Sequence, residues 1–159
     1  MTSNAPSKMV TLEIWKGPDA ELRVGGLRLV ACRREIETID GGVTLYVRDD
    51  PSEGEPRDLL RIDLFRKRPH YHAPAEKQEE TRIEAGDGKN LEWGVDAITT
   101  RAAELLAEGG YASVGDQLDS GALAGAGPAI RKLLDELGDP NERSTFDVPA
   151  ALFEGSRKA

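Results

Sequence analysis

Cysteine is almost missing from this sequence: Cys32 is the single one in 159 residues. An intramolecular disulfide is therefore excluded, and the chain suits a reducing compartment. Aromatic residues are scarce at 5%, so the core must rest on Leu, Val, Ile and Ala. No segment approaches the roughly 18 consecutive apolar residues of a membrane span. The opening MTSNAPSKM lacks the charged-then-apolar layout of a signal peptide. The expectation is a cytoplasmic protein with no membrane association. Basic charge is in deficit too: 21 Lys and Arg against 29 Asp and Glu give a net charge of −8. That disfavours bulk DNA binding and anionic membranes, while leaving room for a local basic site.

What is present reads as one α+β domain over residues 1–159, with 1–8 expected to be disordered. MVTLEIWK alternates, Val10, Leu12 and Ile14 against Thr11, Glu13 and Trp15, as a half-buried strand does. ELRV at 21–24 gives a short second strand. LRLVACRREIETI follows, where Arg33, Arg34 and Glu35 interrupt the alternation and predict a bulge or bend. DGG at 40–42 predicts a hairpin, because glycine adopts positive φ cheaply. Val43, Leu45 and Val47 continue the pattern, and DDPSEGEPRD predicts an exposed loop. LLRIDLF is another strand, with Leu60, Ile62 and Leu64 on one face and Arg61, Asp63 and Phe65 on the other.

After Asn90, a candidate N-cap, Leu91, Val95, Ile98, Ala102 and Leu105 recur at helical spacing. Ser113 and Asp116 stand at capping-box spacing and predict a short helix. SGALAGAGPAI lacks the Lys-Ser/Thr that ends a phosphate-binding loop and reads as a flexible connection. Pro128 opens a last helix, with Ile130, Leu133, Leu134 and Leu137 as its stripe and Gly138 at its end. No helix separates the strands, so the expected architecture is an antiparallel meander of about five or six strands, followed by two main helices on one face. Residues 144–159 carry Phe146, Val148, Leu152 and Phe153. That apolar tail predicts docking on its own sheet or on a protein partner, including self-association as a homo-oligomer.

Chemistry concentrates in RIDLFRKRPHYH, residues 61–72, which holds both histidines of the chain. Four readings are open. His70 and His72 could ligate a divalent metal, with Asp63 or a glutamate completing the shell, since His-x-His on a strand projects both rings from one face. Arg61, Asp63, His70 and His72 could be catalytic, two imidazoles moving protons while arginine stabilises charge on a cleaved RNA phosphate. Arg66, Lys67, Arg68 and Tyr71 could bind an acidic partner, a small anionic ligand or RNA without chemistry. Alternatively the stretch is a solvated strand end whose charges blunt edge-to-edge association. Cys32, within an apolar strand, reads as a small core residue rather than a nucleophile.

An Arg-x-Asp on a strand, then Pro-His, a turn and an amphipathic helix resembles the TumE-type toxins of bacterial toxin–antitoxin pairs. The resemblance covers about residues 27–106 and is carried by Arg61, Asp63, Pro69, His70 and His72. It implies action on RNA. Those toxins carry further histidines before the helix, whereas this chain has none after His72. The order of strand, His-rich turn and helix looks closer to an uncharacterised bacterial domain family, which implies no activity and no cofactor. The leading expectation is a cytoplasmic bacterial protein acting as a non-catalytic binding or interaction module; the alternative is a small RNA-cleaving enzyme using His70 and His72.

Overall fold

Alternating strands in the first half of the chain have only each other to satisfy their backbone groups, and they assemble antiparallel. The structure, a computed structural model, describes residues 8–150. Its strands are β1 (Met9–Lys16), β2 (Ala20–Val24), β3 (Leu27–Ile36), β4 (Asp40–Asp49), β5 (Asp58–Phe65), β6 (His70–His72), β7 (Thr81–Arg82) and β8 (Glu142–Pro149). Between β7 and β8 come α1 (Asn90–Glu108), α2 (Ala112–Asp116), α3 (Ser120–Ala124) and α4 (Gly127–Asp135). The eight strands form one sheet in the order β7-β6-β5-β4-β3-β1-β8, with β2 also pairing β3. The fold is α+β. Among the described residues no helix is long and apolar enough to cross a membrane.

The period-two pattern sends Leu27, Leu29, Ala31, Val43, Leu45, Val47, Leu60, Ile62 and Leu64 to one face, where they pack against Ile98, Leu105, Leu106, Ile130 and Leu134 from the helices. Several of these are fully buried, and each such Leu or Ile contributes about 1.5–3 kcal/mol of burial. Gly94 lets α1 lie close on β5, because a Cβ there would stand 2.6 Å from Leu64 Cδ1. The opposite face of β3, β4 and β5 is buried as well at its centre: Cys32 is 2% exposed, and Thr44 and Asp63 are 0% exposed.

Several local expectations are corrected. The strand count is eight, because β6 is too short to show alternation and β8 gains its partner only across most of the chain, with Met9 opposite Pro149 and Lys16 opposite Glu142. Arg33–Glu35 produce no bulge; β3 and β4 stay in register from Leu27↔Asp49 to Ile36↔Asp40. The register shift falls instead between Val47 and Arg48, where β4 meets β5. The hairpin before DGG turns at residues 37–39, with Thr38 at φ 53°. Asn90 is the first residue of α1 rather than its cap, and its Nδ2 donates to Phe65 O at 2.6 Å. The glycine-rich connection is helical, since Asp119 Oδ1 caps α3 by accepting from Ala122 N at 3.0 Å. The last helix stops at Asp135, before Gly138.

In the tail, Phe146 stands opposite Leu12 in the β1–β8 pair, whereas Leu152 and Phe153 lie outside the described residues, as does most of the segment 1–8. Among the described residues Met9 is the one exposed large hydrophobic side chain.

Candidate functional site

On β5 the residues between the core leucines point away from the helices, and β6 runs antiparallel beside it with Arg61↔His72 and Asp63↔His70 as cross-strand pairs. Thr44 of β4 stands opposite Asp63 on the other side. Three neighbouring strands thus place Thr44, Asp63 and His70 in one row, with Arg61 and His72 in the next. The turn between β5 and β6 is held by Asp40, whose carboxylate accepts from the backbone N–H of Gly41, Lys67 and Arg68 at 2.8, 3.0 and 2.8 Å.

Asp63 is the hub. Its Oδ1 accepts from Thr44 Oγ1 at 2.7 Å. Its Oδ2 accepts from Arg61 Nε and a terminal guanidinium nitrogen at 3.0 and 2.9 Å, and lies 3.0 Å from His70 Nε2. Burial alone would raise this carboxyl, but the His70 hydrogen bond, the Arg61 charge and the Thr44 hydroxyl outweigh it and lower the pKa from 3.8 to about 2. His70 is the complementary case. Burial pulls its pKa down, yet the hydrogen bond to Asp63 and the Arg68 carbonyl raise it above the ordinary 6.5. Its Nδ1 donates to Arg68 O at 2.8 Å, and in its protonated form Nε2 donates to the Asp63 carboxylate.

His72 differs in one atom. Its Nδ1 donates to Lys77 O at 2.6 Å. Its Nε2 is buried without a hydrogen-bond partner and stands 3.9 Å from Asp63 Oδ2. The two imidazoles meet edge to face, centroids 5.1 Å apart. The ligand atoms of Asp63, His70 and His72 all lie within 4.8 Å of one another. Two ligands about 2.1 Å from a tetrahedral metal stand about 3.4 Å apart, and the 3.0 and 3.9 Å separations bracket that spacing.

The other candidates are distributed around this centre. Glu80 Oε2 lies 3.4 Å from His70 Nε2, and its other oxygen accepts from Arg68 Nε at 2.6 Å. Arg66 is paired with Glu35 at 2.6 Å, and the Lys67 side chain is exposed. Tyr71 belongs to the helix-facing side of β6: it stacks on Trp93, centroids 5.9 Å apart, and donates to Glu108 at 2.8 Å. The structure therefore brings Arg61, Asp63, His70 and His72 together and leaves Arg66, Lys67 and Tyr71 elsewhere. Thr44 and the Lys77 carbonyl were not foreseen; β4 being in register with β5 is what brings the threonine in.

No curated protein and no solved structure matches the chain. A family model described as Domain of unknown function (DUF7700) matches residues 21–134. That span contains the whole Thr44–Arg61–Asp63–His70–His72 cluster and leaves out β1 and β8. With well over half of its length matched, the chain belongs to this family.

Proposed function

We propose that this protein is a binding module, and that the species taken up by Asp63, His70 and His72 is a divalent transition-metal ion. One observation carries the reading: His72 Nε2 is buried and unpartnered, beside a second imidazole and a carboxylate. An unsatisfied buried polar atom costs about 1–3 kcal/mol, which a metal–nitrogen bond would offset. Two imidazoles and one carboxylate suit zinc, cobalt, nickel or iron(II) better than magnesium or calcium. The carbonyls of Arg68 and Lys77 fix the ring orientations, and Thr44 steadies the carboxylate, as outer partners do in metal sites. Arg61, charged and beside Asp63, opposes the cation and holds affinity below that of a closed structural zinc site. Uptake displaces the His70 proton, so it weakens as pH falls. The single, buried thiol of Cys32 supports a reducing, cytoplasmic setting.

The RNA-cleaving alternative would use the same side chains, with His72 Nε2 as general base and Arg61 stabilising phosphate charge. Burial disfavours it, because both histidines are only 7% exposed, too little for the phosphate of a polynucleotide to reach both rings. Titration calorimetry with Zn²⁺ and Co²⁺, repeated in buffers of different ionisation enthalpy, tests the metal reading. The expected result is one ion per chain with proton release, a visible cobalt ligand-field band, and loss of both in His72→Ala. Absence of uptake, or equal uptake by His72→Ala and the unaltered chain, would overturn it.

A further inference from the structure

The run Arg33-Arg34-Glu35 interrupts an apolar strand, and the site on the far face uses none of it. With β3 in unbroken register, Arg33 and Glu35 continue the face of Leu27, Leu29 and Ala31, that is, the face covered by the helices. Two charges on a core-facing row require water or a ligand there. The structure has room for one: a cleft of about 590 Å³ opens between the ends of β3, β4 and β5, the start of α1 and the end of α4. That size falls in the usual range of small-molecule sites. Its apolar wall includes Val43, Leu64, Leu91 and Leu134, and its polar rim includes Arg33 and Glu35.

The charges around the cleft are nearly all spoken for. Glu35 is held by Arg66 at 2.6 Å, and Asp135 by Arg131 at 3.1 Å. Among the described residues, Arg33 is the one lining cation with no such partner. Gly41 contributes by what it lacks, since any Cβ there would collide with the Glu35 carboxylate that meets Arg66. A monoanion answers Arg33, whereas a dianion would also face Glu35 and Asp135. The leucine and valine wall asks for an apolar body attached to that anion.

We propose that this cleft binds a small monocarboxylate with an apolar chain, the carboxylate on Arg33 and the chain against Val43, Leu64, Leu91 and Leu134. The site is separate from the histidine cluster, which lies on the opposite face of the sheet, so it stands or falls independently of metal binding. A guanidinium suits the role because it stays charged at all accessible pH and offers paired donors to a planar carboxylate.

The test is an NMR titration of the ¹⁵N-labelled chain with hexanoate, and with 1-hexanol and hexylamine as neutral and cationic probes of the same length. Saturable shifts are expected at residues 33, 43, 64, 91 and 134 with hexanoate, with 1-hexanol at least about tenfold weaker and hexylamine silent. Arg33→Gln should weaken hexanoate by about tenfold while keeping the dispersed spectrum of the folded chain. Leu91→Glu, which places a negative charge in the wall, should weaken it as well. Equal binding of hexanol and hexanoate, preference for the amine, or no saturable shift in the unaltered protein would overturn the proposal. So would unchanged hexanoate affinity in both variants.

Discussion

Replacing Asp63 by asparagine keeps the shape of the side chain and removes its charge, which isolates the electrostatic part of the histidine cluster. The amide oxygen would still accept from Arg61 and His70, while the amide nitrogen donates to Thr44 Oγ1, a hydroxyl able to accept. A carboxyl whose pKa falls from 3.8 to about 2 on folding contributes about 2 kcal/mol of stability in its ionised form. The sign follows from linkage. A lowered pKa stabilises the folded state above the unfolded value of 3.8, and that stabilisation is lost as pH falls through about 2. His70 shows the same ion pair from the other side. Its pKa is raised above 6.5, so its share is complete below 6.5 and fades as pH rises through the folded value. Arg61 stays charged there, so part of the Asp63 stabilisation survives at alkaline pH. Asp63→Asn should therefore cost about 2 kcal/mol near pH 6, or about 1 M in the urea midpoint, read by tryptophan fluorescence with chelator present. The gap should close between pH 4 and pH 2 and narrow at alkaline pH. A gap that is the same at pH 6 and pH 2.5, or absent at pH 6, would refute the reasoning.

Two further outcomes follow from the geometry. Tyr71→Phe removes the hydroxyl that donates to Glu108 at 2.8 Å and keeps the ring stacked on Trp93; it should cost about 1 kcal/mol in urea unfolding, and an unchanged midpoint would argue against that bond. Cys32 is 2% exposed and burial pushes its thiol pKa up, so a thiol-reactive disulfide should label it only as the protein unfolds; stoichiometric labelling within minutes in native buffer would contradict the burial.

Residues with a strict period were legible from sequence. Leu60, Ile62 and Leu64, or Ile98, Ala102 and Leu105, announce their face because burying it dominates local energetics. The histidine pair was legible in the same way, since His70 and His72 must project together from any strand. Their meeting with Asp63 was not, because it depends on how tightly the chain turns between Phe65 and His70, and that turn is set by Asp40 from another hairpin. Arg33 and Glu35 misled for a physical reason: charge on an apolar row signals either a distorted strand or an open cleft, and the backbone alone decides which. Phe146 predicted a docked tail, but only a partner strand more than a hundred residues away defines β8, which stays largely exposed.

The pairing of the first described strand with the last has a mechanical consequence. Met9 faces Pro149 at one end of that ribbon, and Lys16 faces Glu142 at the other. A force applied at the two ends of the chain meets the Met9–Pro149 end first and opens the ladder one rung at a time, as a zipper opens, rather than shearing all rungs together. Ile14, Trp15 and Lys16 also pair with Ile36, Glu35 and Arg34 of β3, so tension reaches the family-matched region from 21 to 134 once the opening arrives at Ile14. The histidine cluster and the cleft, both within that region apart from Asp135 and Pro140 at the cleft edge, thus lie behind the outer rungs of this ribbon. Pulled in an optical trap, the chain should yield first at low force by the outer rungs of this ribbon, and only later, at higher force, by the rest.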